Sequence, residues 1–372
     1  MTHNYGIIGL MSGTSLDGLD IVYCDFKHER GEWQFDLRAA QTIDYDDGMR
    51  LKLKKSIDLS ALDLLKLNID YGIWLGEKVN AFMQEFGVKA DYVASHGHTV
   101  HHRPEEGITY QIGDGQQLAN VTELTVICDF RSRDVSLGGQ GAPLVPVGDK
   151  YLFSEYDFCL NLGGISNISF DQDDQRLAYD IGPANMILNY LATQIDLKYD
   201  EGGRMAMSGV LNKSLFGELN DLLYYELPFP KSTGYEWFTE SVVPLLESSD
   251  ISIIDKLCTA VHHVAYSVAK DVKKFVRDGS QLLVTGGGAK NDFLVDCLRN
   301  YLTGSVSVHI PNNDIIEYKE AIVFGLLGVL KLRNEVNCLK SVTGAKYDSS
   351  GGVIYKQSCN PPQAKKVCQW MR

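Results

Sequence analysis

The stretch YDIGPANMILNYL holds the residue of this 372-residue chain best placed to do chemistry, Asp180. It stands where an apolar, strand-like run gives way to a helical one, with Gly182 relieving the turn and Pro183 suited to a first helical position. An aspartate at a strand end can act as a general base toward water or a sugar hydroxyl. The same residue is equally at home as a helix N-cap or in an Asx-turn, and the local sequence leaves the two readings level.

Three short glycine runs accompany it. SGTSLDG, residues 12–18, offers Gly13 and Gly18 for tight backbone geometry, and Thr14 and Ser15 as hydroxyl donors. Asp17 and Asp20 there can hold the waters of a bound magnesium ion. LNLGGISN, residues 160–167, carries Gly163 and Gly164, and VTGGGAKN, residues 284–291, carries Gly286, Gly287, Gly288 and Asn291. Glycines between a strand and a helix let an anion approach backbone N–H groups at the positive end of the helix dipole. Gly, Ser and Asp also make ordinary loops, and none of the three runs fits the G-x-G-x-x-G or P-loop pattern. The KST at 231–233 follows PFP rather than glycine, which discounts it as a P-loop. Three such turns in one chain favour phosphate cradles over three coincidental loops.

HGHTVHHRP, residues 96–104, holds four of the nine histidines. No acidic or cysteine partner stands at ligand spacing, so polar contacts to a substrate are favoured over zinc. His262 and His263 flank an apolar helical stripe and read as structural.

These residues need elements to position them. Residues 5–26 read as a hairpin around SGTSLDG, and residues 61–86 as a helix with Leu62, Leu65, Ile69, Ile73, Val79, Met83 and Phe86 as its apolar stripe. DYVASHGHTVHH reads as a strand running into a polar loop, and 138–146 as a Gly/Pro-rich junction between domains. The second half repeats the theme: strand, double-glycine turn, strand, then helices over 255–277 and through EYKEAIVFGLLGVLKL. In that last helix Ala321, Gly325 and Gly328 thin one face for close packing. The tail carries a short GGVIY strand, expected to return to the first domain. The fold class expected is α/β with two duplicated domains around a cleft: residues 1–143, completed by 340–372, and residues 144–339.

The chain carries a net charge of −13, with 44% apolar and 22% charged residues, the profile of a soluble globular protein. So acidic a surface repels nucleic acid and anionic lipid. No apolar run is long enough to span a membrane, and MTHNYG lacks a signal-peptide pattern. The eight cysteines are scattered without a C-x-x-C pair, which fits a reducing compartment. A cytoplasmic location is expected.

GLMSGTSLDGLD, SHGHTVHHRP, YQIGDGQQLA, CDFRSRDVSLGGQGAPLVP, LNLGGISN, DIGPAN, PKSTG, VTGGGAKN, EAIVFG and SVTGA occur in the order seen in the anhydro-N-acetylmuramic acid kinases. The resemblance runs from about residue 6 to 346 and implies the actin-like ATPase fold, two α/β domains closing over ATP. It implies that residues 13–20, including Leu16 and Leu19, bind ATP phosphates, that Asp180 is the general base, and that Glu320 faces the sugar. His96, His98, Thr99 and Arg131 match positions near the substrate. The implied reaction opens the 1,6-anhydro ring of 1,6-anhydro-N-acetylmuramic acid with water and phosphorylates the freed 6-oxygen from ATP with magnesium. Its products are N-acetylmuramic acid 6-phosphate and ADP, a step of peptidoglycan recycling. The implied partners are small molecules, with a homodimer admissible. Three departures stand out. His98 replaces the family's usual Gln, EGGRMAMSG at 201–209 differs from the usual acidic stretch, and the phosphate loop lacks the early aspartate of many relatives of the fold. A kinase for another anhydrosugar such as levoglucosan, and a chaperone-like or regulatory ATPase, are the alternatives.

Overall fold

The computed structural model describes residues 3–13 and 16–356. In its first unit, β1 (His3–Ser12), β2 (Gly18–Glu29) and β3 (Glu32–Asp44) form an antiparallel meander. On the other side of β1 lie β4 (Tyr92–Arg103), parallel to it and carrying β5 (Ile108–Ile112), and then β6 (Thr125–Cys128), parallel to β4. In the second unit, β7 (Phe158–Leu162), β8 (Ile165–Gln172) and β9 (Gln175–Pro183) form another antiparallel meander. There β10 (Gln281–Thr285) lies parallel to β7, and β11 (Ser307–His309) parallel to β10. Finally β12 (Val353–Tyr355) pairs antiparallel with β6, as expected of the GGVIY tail.

Both sheets thus share one plan, a meander whose first strand is extended on its free side by parallel strands. The duplication invisible at residue level is explicit in topology, and it is the plan of the actin-like ATPase fold. The first unit takes the described residues up to Ser136, with Phe324–Val336 and those from Ser350 onward; the second takes Leu137–Val323 and Asn337–Ser349. The division therefore falls inside the Asn313–Leu332 helix, and residues 340–349 pack with the second unit rather than the first. In the first unit, β-carbons at Gly325 and Gly328 would meet Phe26 at 3.2 Å and Ala94 at 2.7 Å, so the thinned helical face lies against the sheet.

Two expectations are corrected. The helix is Ala61–Phe86, but of the expected stripe only Val79 is buried, with Ile73 and Met83 half-buried, and the buried face is Leu67, Tyr71, Leu75, Val79 and Phe82. Leu62 and Leu65 are 62% and 55% exposed. The helix has two apolar stripes, and glycine decides between them: a β-carbon at Gly72 would lie 2.6 Å from the Asp114 carbonyl oxygen, and one at Gly76 would lie 2.6 Å from Val121. Close approach is possible only on that side. HGHTVHH is strand rather than loop, because β5 supplies ladder partners from His98 to Arg103, with a bulge between Thr99 and His101.

Candidate active site

In the second unit the parallel strands β7 and β10 end together, and the glycine runs follow directly. β-Carbons at Gly286 and Gly288 would meet Asn161 at 2.3 Å and Leu162 at 2.6 Å, so these two glycines are demanded by packing between the turns. Asn185 lies against Gly287 and Gly288 and donates to the Leu162 carbonyl at 2.9 Å. Gly163, Gly164 and Gly287 differ. Their nearest neighbours to an added β-carbon are 3.4 Å away or more, so no close protein contact calls for glycine there. A ligand lying on the backbone would use that room.

The helix termini are largely engaged by the protein. Ala184 and Met186 N–H donate to the Gly164 carbonyl and Asn185 N–H to that of Gly163. That bonding closes the turn, and it leaves Pro183 as the last residue of β9 instead of the first of the Asn185–Thr193 helix. Asn291 caps the Asp292–Leu302 helix, accepting from Leu294 N–H at 3.0 Å.

Asp180 lies near the C-terminal end of β9, half-buried. Its Oδ2 accepts from the Ser232 hydroxyl at 3.0 Å and from Thr233 N–H at 3.2 Å. Its backbone N–H donates to the Lys231 carbonyl, and its carbonyl accepts from the Tyr224 hydroxyl at 2.7 Å. It caps no helix. Burial raises its pKa above the ordinary carboxylate value, opposed by the Thr233 and Ser232 hydrogen bonds. Ser232, Thr233 and Tyr224 also line a cavity of about 550 Å³ with Leu223, Leu227, Gly234, Glu236 and Trp237. Ser232 and Thr233 lie in PKSTG, a motif of the resemblance that by itself assigns neither of them a role. Two hydroxyls ahead of a glycine were the available signal. Glu320 is exposed on the Asn313–Leu332 helix and takes no part in the hydrogen bonds of Asp180 among the described residues.

In the first unit, Thr14 and Ser15 lie outside the described residues. Around them Leu16 N–H turns back to the Gly13 carbonyl, Leu16 adopts a positive φ of 60°, and Asp17 is exposed. Gly18 packs against the Ile43 carbonyl, Leu19 is fully buried in the core, and Asp20 accepts from the Thr42 hydroxyl at 2.7 Å. Leu19 is therefore a core residue, in register with Ser12 of β1 on one side and Ile43 of β3 on the other, which removes its side chain from the expected nucleotide contacts.

Nearby on β4, buried His96 contacts the Gly97 carbonyl through Nδ1 at 2.9 Å and accepts from Arg131 Nε at 3.1 Å through Nε2. Burial and the adjacent guanidinium hold its pKa well below normal, so it is neutral and both nitrogens are occupied. His96 thus holds Arg131 and has both ring nitrogens engaged within the protein. His98 Nδ1 lies 3.2 Å from the Ser12 hydroxyl, which accepts from Tyr45, itself 2.7 Å from the Tyr71 hydroxyl. With Tyr45 donating to Ser12, the arrangement that uses each hydrogen once directs Ser12 at Nδ1 and puts the imidazole proton on Nε2. Burial pushes the His98 pKa down to about 4. Thr99 follows in the strand, half-buried opposite Gln111.

No group of three or more His, Cys, Asp or Glu side chains able to hold a metal occurs among the described residues. No helix among them is long and apolar enough to cross a membrane.

The model of the family described as anhydro-N-acetylmuramic acid kinase matches residues 5–357. A curated anhydro-N-acetylmuramic acid kinase of Haemophilus influenzae is 36% identical over 375 residues, covering 94% of this chain and 97% of that protein. Those of Shewanella sediminis and a Sulfurovum species are 34% and 33% identical, covering 95% and 94% of this chain and 99% and 98% of theirs. With a match over nearly its whole length and relatives of this identity, the chain belongs to the anhydro-N-acetylmuramic acid kinase family.

Proposed function

We propose that this protein is an ATP-dependent carbohydrate kinase that opens 1,6-anhydro-N-acetylmuramic acid with water and phosphorylates the released 6-oxygen. Family membership supports the reaction, and one observation supports its chemistry here. Asp180 has one carboxylate oxygen held by two donors, and three of its four hydrogen-bonding neighbours line an open cavity.

In the anhydrosugar the 6-oxygen carries no proton and is bonded to the anomeric carbon. It becomes a nucleophile only as that bond breaks. Asp180 takes a proton from water, the water oxygen bonds to the anomeric carbon, and the C1–O6 bond opens. O6 then bonds to the γ-phosphorus, and ADP departs with the electrons of the broken P–O bond. A base raised in pKa by burial suits proton removal near neutral pH. Arg131, fixed by His96, is a cation for the sugar's carboxylate; His98 Nε2–H is a fixed neutral donor; Glu320 is the second acid assigned to the sugar. The open backbone at Gly163, Gly164 and Gly287 suits the nucleotide, as do residues 13–20. Magnesium takes phosphate oxygens plus one or two carboxylates, and Asp17 and Asp20 are the carboxylates proposed to serve it. When bound, it offsets the charge on the transferred phosphoryl group. The six buried free cysteines among the described residues support a reducing, cytoplasmic setting.

The test is ATP consumption with and without 1,6-anhydro-N-acetylmuramic acid, with levoglucosan in parallel. Strong stimulation by the first alone supports the proposal. Equal turnover without a sugar would favour a regulatory ATPase.

A further inference from the structure

We propose that Ser232 and Thr233 are positioning residues that hold Oδ2 of Asp180 and reserve Oδ1 as the oxygen that takes the proton. This deepens the functional reading above and rests on Asp180 being the base. The Ser232 hydroxyl at 3.0 Å and the Thr233 N–H at 3.2 Å both point to Oδ2, and Oδ1 has no hydrogen-bond partner among the described residues. A carboxylate oxygen with two donors has its lone pairs engaged and is the less basic of the two. The donors also restrain rotation of the carboxyl group, so the free oxygen keeps one direction.

The loop that supplies them is anchored. The Lys231 carbonyl accepts from Asp180 N–H, and its ammonium lies 3.3 Å from the Tyr224 carbonyl, 3.9 Å from Asp271 and 4.8 Å from the centre of the Tyr224 ring. The charged and titratable groups near Asp180 are Tyr224 and Lys231, with Asp271, Lys274, Lys270 and Glu226 around Lys231 and Glu236 in the cavity lined by Ser232 and Thr233; its partner in β8 is the neutral Asn167. Burial holds the Tyr224 phenol neutral, and Asp271 partners Lys231, so the two hydroxyl-loop donors are what favours the carboxylate against the burial that disfavours it.

The experiment measures kcat against pH, with ATP and 1,6-anhydro-N-acetylmuramic acid saturating, for wild type, Ser232→Ala, Ser232→Thr and Thr233→Ala. Ser232 is exposed, so its truncation removes a hydrogen bond and no core packing. In Ser232→Ala the acid limb should move up by about one pH unit, the scale of one charge-assisted hydrogen bond, with the KM for ATP unchanged. Ser232→Thr should restore the wild-type limb. Thr233→Ala keeps its backbone N–H and should leave the limb in place. An unmoved limb in Ser232→Ala, or an equal shift in Thr233→Ala, would overturn the proposal. Full activity of Asp180→Asn would instead overturn the assignment of the base, a result the Ser232 variants cannot mimic.

Discussion

In the first unit the polar groups around β1 and β4 are held by one another. Tyr71, Tyr45, Ser12 and His98 form one buried chain of hydrogen bonds, and His96 holds Arg131. In the second unit, built on the same sheet plan, the corresponding region is mostly backbone: glycine turns with room for a β-carbon at three positions, and a carboxylate fixed through one oxygen. Buried side-chain networks fix the direction and protonation of a donor before any ligand arrives. Open backbone and a half-free carboxylate leave capacity for the groups that react. Under the proposed function one topology is fitted out twice: the first half joins a buried recognition network to a phosphate loop, and the second supplies the base and further open backbone for the nucleotide.

The sharpest break in that contrast is Asp180→Asn. The amide keeps the shape and loses the base, so turnover should fall roughly 100-fold or more while ATP affinity is retained. Steady-state kinetics with nucleotide-binding calorimetry checks it, and near-normal turnover would remove proton transfer from the second unit.

Next come the glycines, which divide by what their β-carbons would meet. Gly287→Val should weaken ATP binding about 10-fold with little loss of stability, because only Asn185 lies near, at 3.5 Å. Gly288→Ala should instead lower thermal stability, by about 1–3 kcal/mol, since Leu162 stands at 2.6 Å. Calorimetry and thermal unfolding of both variants separate a ligand's requirement from a packing one. Equal effects would dissolve the distinction.

The smallest effect belongs to the first unit. With its pKa pushed down to about 4 from an ordinary 6.5, folded His98 resists protonation that the unfolded chain accepts. Its contribution is complete above pH 6.5 and lost as pH falls toward 4. His98→Gln should therefore flatten the fall of the unfolding temperature across that window by a few degrees. His263, pushed down to about 3 by burial, keeps part of the slope in the second unit. An unchanged slope in the variant would mean that His98 is not held neutral by the fold.

Local pattern carried much of this in advance. The β1–β2 and β7–β8 hairpins, the Ala61–Phe86 helix and the strand–turn–helix at Asp180 follow from apolar periodicity and glycine placement. What escaped depends on contacts remote in the chain. The buried face of the Ala61–Phe86 helix was set by which stripe had glycines facing the Gly115–Thr122 helix. His102 and its neighbours became strand because β5 arrives to pair with them. Ser232 meets Asp180 across 52 residues, and Arg131 meets His96 across 35, distances at which no local spacing rule operates.

In the proposed reaction water, activated at Asp180, opens the anhydro bridge while the 6-oxygen takes the phosphoryl group. Reaction in heavy-oxygen water tests it directly, provided the product is examined early, before ring opening exchanges the anomeric oxygen. Label is expected on the anomeric hydroxyl of the sugar phosphate and none on its phosphate. Label on phosphate, or an early sugar phosphate with no label at all, would contradict it.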